Sequence, residues 1–98
     1  MMYEWDESKR AANLAKHGLD FLCAHMVLES EYAMIVDSPR RGEARQQAFA
    51  YMFDILAVLS VAFVPDGDRC RIVSFRPAKR DERRMYHDWL ENHFHDQR

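Results

Sequence analysis

Ten consecutive residues, Ile55 to Val64 (ILAVLSVAFV), are apolar apart from Ser60. The run shows neither the alternation of a half-buried strand nor the spacing of an amphipathic helix. A segment this short and this uniformly apolar is a central strand, buried on both faces. Pro65-Asp66-Gly67-Asp68 is a hairpin turn that hands the chain to a last strand, Cys70 to Arg76. Strict alternation sets Val73 and Phe75 on one face of that strand and Ile72, Ser74 and Arg76 on the other. Upstream, Arg45 to Phe53 (RQQAFAYMF) alternates weakly, with Phe49, Tyr51 and Phe53 sharing a face. Tyr32 to Asp37 (YAMIVD) is a further strand, and Ser38-Pro39-Arg40-Arg41-Gly42 turns between the two.

Helices flank this meander. Met2 to Trp5 is a short strand or arm. Asp6 is an N-cap for a helix through Lys16 or His17, with Leu14, Ala11 and Ala15 as its apolar stripe and Gly18 at its end. Asp20 caps a second helix carrying Phe21, Ala24, Val27 and Leu28, with Leu19 stapled to Ala24. Pro77 ends the last strand. A helix from about Lys79 to Phe94 comes next, with Tyr86, Trp89, Leu90, His93 and Phe94 on its apolar side. The order is β-α-α-β-β-β-β-α. It predicts a small α+β domain: two N-terminal helices and a C-terminal helix packed on a four-stranded, largely antiparallel sheet.

The 98 residues suit a single domain spanning 1–98, with 94–98 as a frayed tail. Nearly half are apolar, enough for a small core. No apolar run approaches a membrane-spanning length, and the polar, acidic start MMYEWDESKR is unlike a secretory signal. Cys23 and Cys70 are far apart and outside any CxxC pair, so both are expected to be reduced and buried, in a cytoplasmic protein. His87, His93 and His95 do not form a zinc pattern. There is no glycine-rich phosphate loop, no GxSxG and no HExxH.

Charge is one-sided. From Arg69 to Tyr86 seven residues are Lys or Arg, against Asp81 and Glu82, which makes the segment +5. The whole chain is −2, so the rest carries −7. A cationic segment in an acidic chain suits an anionic ligand, RNA being a natural candidate; an Arg-rich helix can also be a solvated face.

Two motifs point to a family. The opening WDESKRAANLAKHGLDF, through Trp5, Asp6, Lys9, Asn13, Lys16, His17, Gly18 and Phe21, resembles the N-terminal signature of BrnT-type toxins. The closing RIVSFRPAKRDERRMY, through Arg71, Ile72, Ser74, Arg76, Glu82, Arg83, Arg84 and Tyr86, resembles their C-terminal signature. The resemblance covers about residues 2–90. It departs where the family has a glycine-containing turn between the third and fourth strands; here the chain reads Met52-Phe53-Asp54. The family's third-strand Ile-Gly reads Phe49-Ala50, and the tail from Trp89 is longer.

The resemblance implies a RelE-like fold and the toxin half of a type II toxin–antitoxin pair. It implies a ribonuclease, independent of metal and cofactor, that arrests translation and growth. The implied partner is a BrnA-type antitoxin, a ribbon-helix-helix DNA-binding protein. The two would form a 2:2 complex that represses its own operon and touches operator DNA only through the antitoxin. A catalytically weak module, kept for antitoxin binding and co-repression, is the alternative.

Such a ribonuclease needs a base for the 2′-hydroxyl, cations for the phosphorane and an acid for the leaving oxygen. Arg76 and Arg83 are the cationic candidates, since a guanidinium grips phosphate oxygens in pairs. Lys79, Arg80 and Arg84 surround them, helped by the helix N-terminus. His17 is an acid–base candidate or a cap of its helix C-terminus. Glu82 is a base or a partner that aligns Arg76 or Arg83. Tyr86 is a proton donor or a core residue. Lys16, Ser74 and Arg45 are substrate contacts or ordinary surface groups.

Overall fold

In the computed structural model, which describes residues 1–52 and 55–94 and all their side chains except that of Phe94, the apolar run becomes strand β4 (Ile55–Asp66). β3 (Gln46–Met52) and β5 (Arg69–Pro77) lie antiparallel on either side of it. β2 (Met34–Asp37) pairs antiparallel with β3, and β1 (Met2–Glu4) pairs parallel with β5, giving the order β1-β5-β4-β3-β2. The sheet therefore has five strands and is mixed, where four were expected. β1 is the difference: its backbone occupies the edge that β5 would otherwise leave open at Arg69–Arg71. Phe53, Asp54 and residues 95–98 fall outside the described residues, and with them the unusual β3–β4 turn, most of the expected frayed tail and His95.

β4 is buried continuously from Val58 to Phe63, as a strand covered on both faces must be. Leu59, Val61 and Phe63 pack with Ala48, Ala50, Phe21, Ala24 and Val27 on one side. Val58 packs with Met34, Phe49, Ala78 and Tyr86 on the other. The second cluster lies beneath α3 (Arg80–Phe94).

Three local expectations fail for physical reasons. Alternation along β5 breaks at Val73, because Ser74 pairs with Ala62 while Ile72 pairs with Phe63, a bulge of one residue. Ile72 and Phe75 therefore share one core instead of facing apart. The second helix is split: Asp20 caps a 3₁₀ turn at Phe21–Cys23 by accepting from Leu22 N, and α2 proper is only His25–Leu28. Finally α1 (Glu7–His17), capped as expected by Asp6 and Gly18, buries no residue, and Leu14 is 41% exposed. Polar contacts hold it instead. Arg10 makes a two-pronged ion pair with Asp20 at 2.8 and 3.0 Å. Asn13 donates to Leu19 O at 2.9 Å and also bonds Phe75 in β5.

Of the cysteines, which are both free, Cys70 is buried and its thiol is pushed up to about 11; Cys23 is only half-buried. Among the described residues no helix is long and apolar enough to cross a membrane.

Candidate functional site

The bulge at Val73 sets the register of the rest of β5. Ser74 and Arg76 pair with Ala62 and Ser60 of β4, and Gln47 of β3 stands opposite Ala62. These residues share the α3 side of the sheet. At one end of that side α3 covers Phe49 and Val58; at the other the strand face is polar.

Arg76 is clamped where β5 meets α3. Its Nη1 donates to Glu82 Oε1 at 2.8 Å and its Nη2 to Glu82 Oε2 at 3.0 Å, a fork-to-fork contact. Nη1 also donates to Pro77 O at 3.1 Å. Glu82 is in turn fixed by its place in the first turn of α3. Its Oε1 accepts the Lys79 N–H at 2.8 Å, the reach-back of a capping box. That N–H, expected to be open to an anion, is already occupied. The Arg76 guanidinium holds the Glu82 carboxyl below the ordinary carboxylate range against the opposing effect of burial, with smaller contributions from the Lys79 N–H and Gln47. Glu82 likewise raises Arg76. Gln47 Nε2 reaches Ser60 Oγ at 3.4 Å, so the buried hydroxyl lies beside the same group.

A second ionic group sits towards the start of β5. Glu43 Oε1 accepts from Arg45 Nη2 at 3.0 Å, and Glu43 Oε2 from Arg71 Nη2 at 2.6 Å. Hydrogen bonds from Arg45 and Arg71 hold the Glu43 carboxyl below its ordinary range against the opposing effect of burial. Arg45 Nε is buried with no acceptor among the described residues.

The remaining expected residues are dispersed. Arg83 donates from Nη1 to Ala78 O at 2.9 Å, which ties it to the start of α3. Lys79, Arg80 and Arg84 are exposed. Arg80 and Arg84 each lie two residues from Glu82, roughly 160° around the helix axis, and so project away from Arg76. Tyr86 is buried in the second core, and its hydroxyl donates to Tyr32 O at 2.8 Å. Burial raises its pKa. Lys16 is exposed and His17 half-buried at the end of α1. Among the described residues the His17 ring has no hydrogen-bond partner.

Sequence reasoning missed Gln47, Ser60, Glu43 and Arg71 as members of the site. Two signals were present. Ser60 interrupts an otherwise apolar run, and Gln47 alternates with Arg45 and Phe49 on one face of β3. Among the described residues no three His, Cys, Asp or Glu side chains converge as a metal-ligand set. An apolar hollow of about 390 Å³ on the opposite face, lined by Met1, Tyr3, Leu28, Ile35, Phe63 and Cys70, has Glu29 as its charged neighbour and does not suit an anion.

A family model described as the ribonuclease toxin BrnT of type II toxin–antitoxin systems matches residues 5–82. The matched span takes in Asn13, His17, Glu43, Arg45, Arg71, Ser74, Arg76 and Glu82, and stops short of Arg83, Arg84 and Tyr86. No curated protein matches the chain.

Proposed function

We propose, from the premise that this chain belongs to the BrnT family of ribonuclease toxins of type II toxin–antitoxin systems, that it cleaves RNA on the α3 side of its sheet with Arg76 as the charge-stabilising group. The forked Arg76–Glu82 contact is the observation that carries this reading. A guanidinium held by two hydrogen bonds in one orientation, beside the half-buried polar side chains of Gln47 and Ser74, is prepared to grip two oxygens of a phosphate.

The chemistry needs no redox partner. A base removes the 2′-hydroxyl proton and O2′ attacks the adjacent phosphorus. The P–O5′ bond breaks, and an acid protonates O5′, leaving a 2′,3′-cyclic phosphate and a 5′-hydroxyl. Arg76 bears the charge that builds on the non-bridging oxygens. Glu82 aligns Arg76; with its carboxyl lowered by that same arginine it is a weak base. His17 is assigned the proton transfers. Asn13 supports this: it docks on Phe75, the chain neighbour of Arg76, and His17 lies one turn beyond Asn13 on the same helix face. Ser74 and Arg45 contact the substrate along the strand face, and Arg83 uses its uncommitted N–H groups on an adjoining phosphate. Lys16, Lys79, Arg80 and Arg84 act at longer range by steering RNA inward. Tyr86 is assigned to holding α3 on the sheet, because its hydroxyl is given to Tyr32 O.

Membership in the family implies an antitoxin partner. We assign it the BrnA type, a ribbon-helix-helix DNA-binding protein in a 2:2 cytoplasmic complex that represses its own operon. The antitoxin would neutralise the toxin by covering the cationic face, and cleavage would arrest translation and growth without a metal ion.

One observation favours a second reading. Both Nη groups of Arg76 are already committed in the free protein. A chain in which that contact never opens would be a weak nuclease serving mainly to bind the antitoxin. Induced expression in a bacterial host separates the two. Growth arrest with RNA breakage, relieved by the antitoxin and lost in Arg76→Ala, supports the nuclease. Normal growth and intact RNA at good soluble expression support the binding module.

A further inference from the structure

Glu43 stands at the end of a two-residue turn whose central residues, Arg41 and Gly42, have φ of +50° and +78°. Positive φ at both positions suits a tight hairpin turn, but it strains a non-glycine residue such as Arg41. The turn is closed by Glu43 N donating to Arg40 O at 2.8 Å. It brings the Glu43 carboxylate across β4 to bond Arg45 and Arg71 at once. Two guanidiniums thus share one carboxylate, each through one N–H, and the group keeps a net positive charge. Arg76, by contrast, has both Nη groups matched by one carboxylate of its own.

Arg45 shows that the sharing is incomplete. Its Nε is shut away from solvent without an acceptor among the described residues, an arrangement that is unfavourable for a charged donor. A phosphate entering from the strand face would draw the guanidinium outward, where Nε and one Nη can hold two phosphate oxygens side by side. Arg71 would keep Glu43 engaged meanwhile. Arg71 and Arg76 are five residues apart on β5, on the order of 15 Å along the strand, too far to grip one phosphate together.

We propose that Arg45 and Arg71, bridged by Glu43, form a second phosphate-binding position that takes a neighbouring phosphate of the RNA whose scissile phosphate lies at Arg76. This proposal rests on the ribonuclease reading. Its consequence is that the substrate is a single strand laid along β5 and read at two points of its backbone.

The test is equilibrium binding of a short single-stranded 2′-O-methyl RNA, which cannot be cleaved through its 2′-oxygen, measured across a salt series for wild type, Arg45→Gln, Arg71→Gln and Arg76→Gln. Each phosphate neutralised on a single strand contributes about 0.7 to the slope of log K against log salt. Arg45→Gln and Arg71→Gln are each expected to flatten the slope by about that amount and to weaken binding several-fold, as Arg76→Gln does. If Arg76→Gln flattens the slope while both other variants keep it, the second position is overturned and the nuclease reading stands. If Arg71→Gln lowers the thermal midpoint and leaves the slope unchanged, the group is a structural brace and the proposal is again overturned. If the wild type does not bind the RNA, the underlying reading falls and takes this proposal with it.

Discussion

Asn13 completes the backbone hydrogen bonding of Phe75. Its amide nitrogen donates to Phe75 O at 2.7 Å, and its amide oxygen accepts the Phe75 N–H at 3.1 Å. β1 pairs with β5 only at Arg69–Arg71, so the edge further along β5 is met by a side chain standing in for a strand. The residue next to Phe75 in the chain is Arg76, and the packing of α1 is thereby tied to the geometry of the site.

Replacing Asn13 by Ala should leave both backbone groups of Phe75 without their partner. We expect a loss of about 2 kcal/mol in urea unfolding and a fall in cleavage rate, because α1 has no buried apolar face to keep it in place. An unchanged unfolding midpoint would show that water replaces the amide without cost.

Glu82→Gln should separate alignment from base catalysis. The neutral amide cannot fork Arg76 as a carboxylate does, so the rate should fall about tenfold to a hundredfold while the pH–rate profile keeps its shape. Disappearance of the acidic limb of that profile would instead identify Glu82 as the base.

Tyr86→Phe removes a hydroxyl and leaves the ring. With its donation to Tyr32 O lost, stability should fall by about 1 kcal/mol and cleavage should be unchanged at a temperature where the variant is folded. A large loss of activity in a stable, folded variant would restore Tyr86 to the reaction.

Acid should loosen the ion pairs that hold α1 and the two arginine groups in place. Asp20 is held at about 2 by its bonds from Arg10, against an ordinary 3.8, and Glu43 and Glu82 are lowered by their arginines. A folded pKa below the unfolded one gives stability that is present above the unfolded value and lost as pH falls through the folded one. The thermal midpoint should therefore hold from neutrality to about pH 5 and fall steadily towards pH 2. Asp20→Asn should start lower at neutral pH and lose less on acidification, measured by thermal melts across that range.

The parts of the fold legible in the sequence were those set by neighbouring residues. The apolar run Ile55–Val64, the turn at Gly67 and the caps Asp6 and Gly18 each carry their own local cause, and each is where it was expected. What could not be read depends on distant partners. Met2 to Trp5 was expected as a short strand or arm, but its place in the sheet as β1 depends on the edge that β5 leaves at Arg69–Arg71. The bulge at Val73 depends on how β4 and β5 settle against each other and is invisible to a rule of alternation. Leu14 had the right spacing for a core stripe, yet α1 is held by Arg10 and Asn13. In the site the pairing of Glu82 with Arg76 was one of two readings, because the two are close in the chain. The bridge from Glu43 to Arg71 spans 28 residues and had no local signal.

The most direct test is cleavage by the purified protein in EDTA, with naked single-stranded RNA and in parallel with RNA on translating ribosomes, comparing wild type with Arg76→Gln of equal folded content. Wild type should release fragments ending in a 2′,3′-cyclic phosphate under at least one condition, and Arg76→Gln should be slower by about a hundredfold or more. Intact RNA under both conditions, or equal cleavage by Arg76→Gln, would contradict a nuclease centred on Arg76.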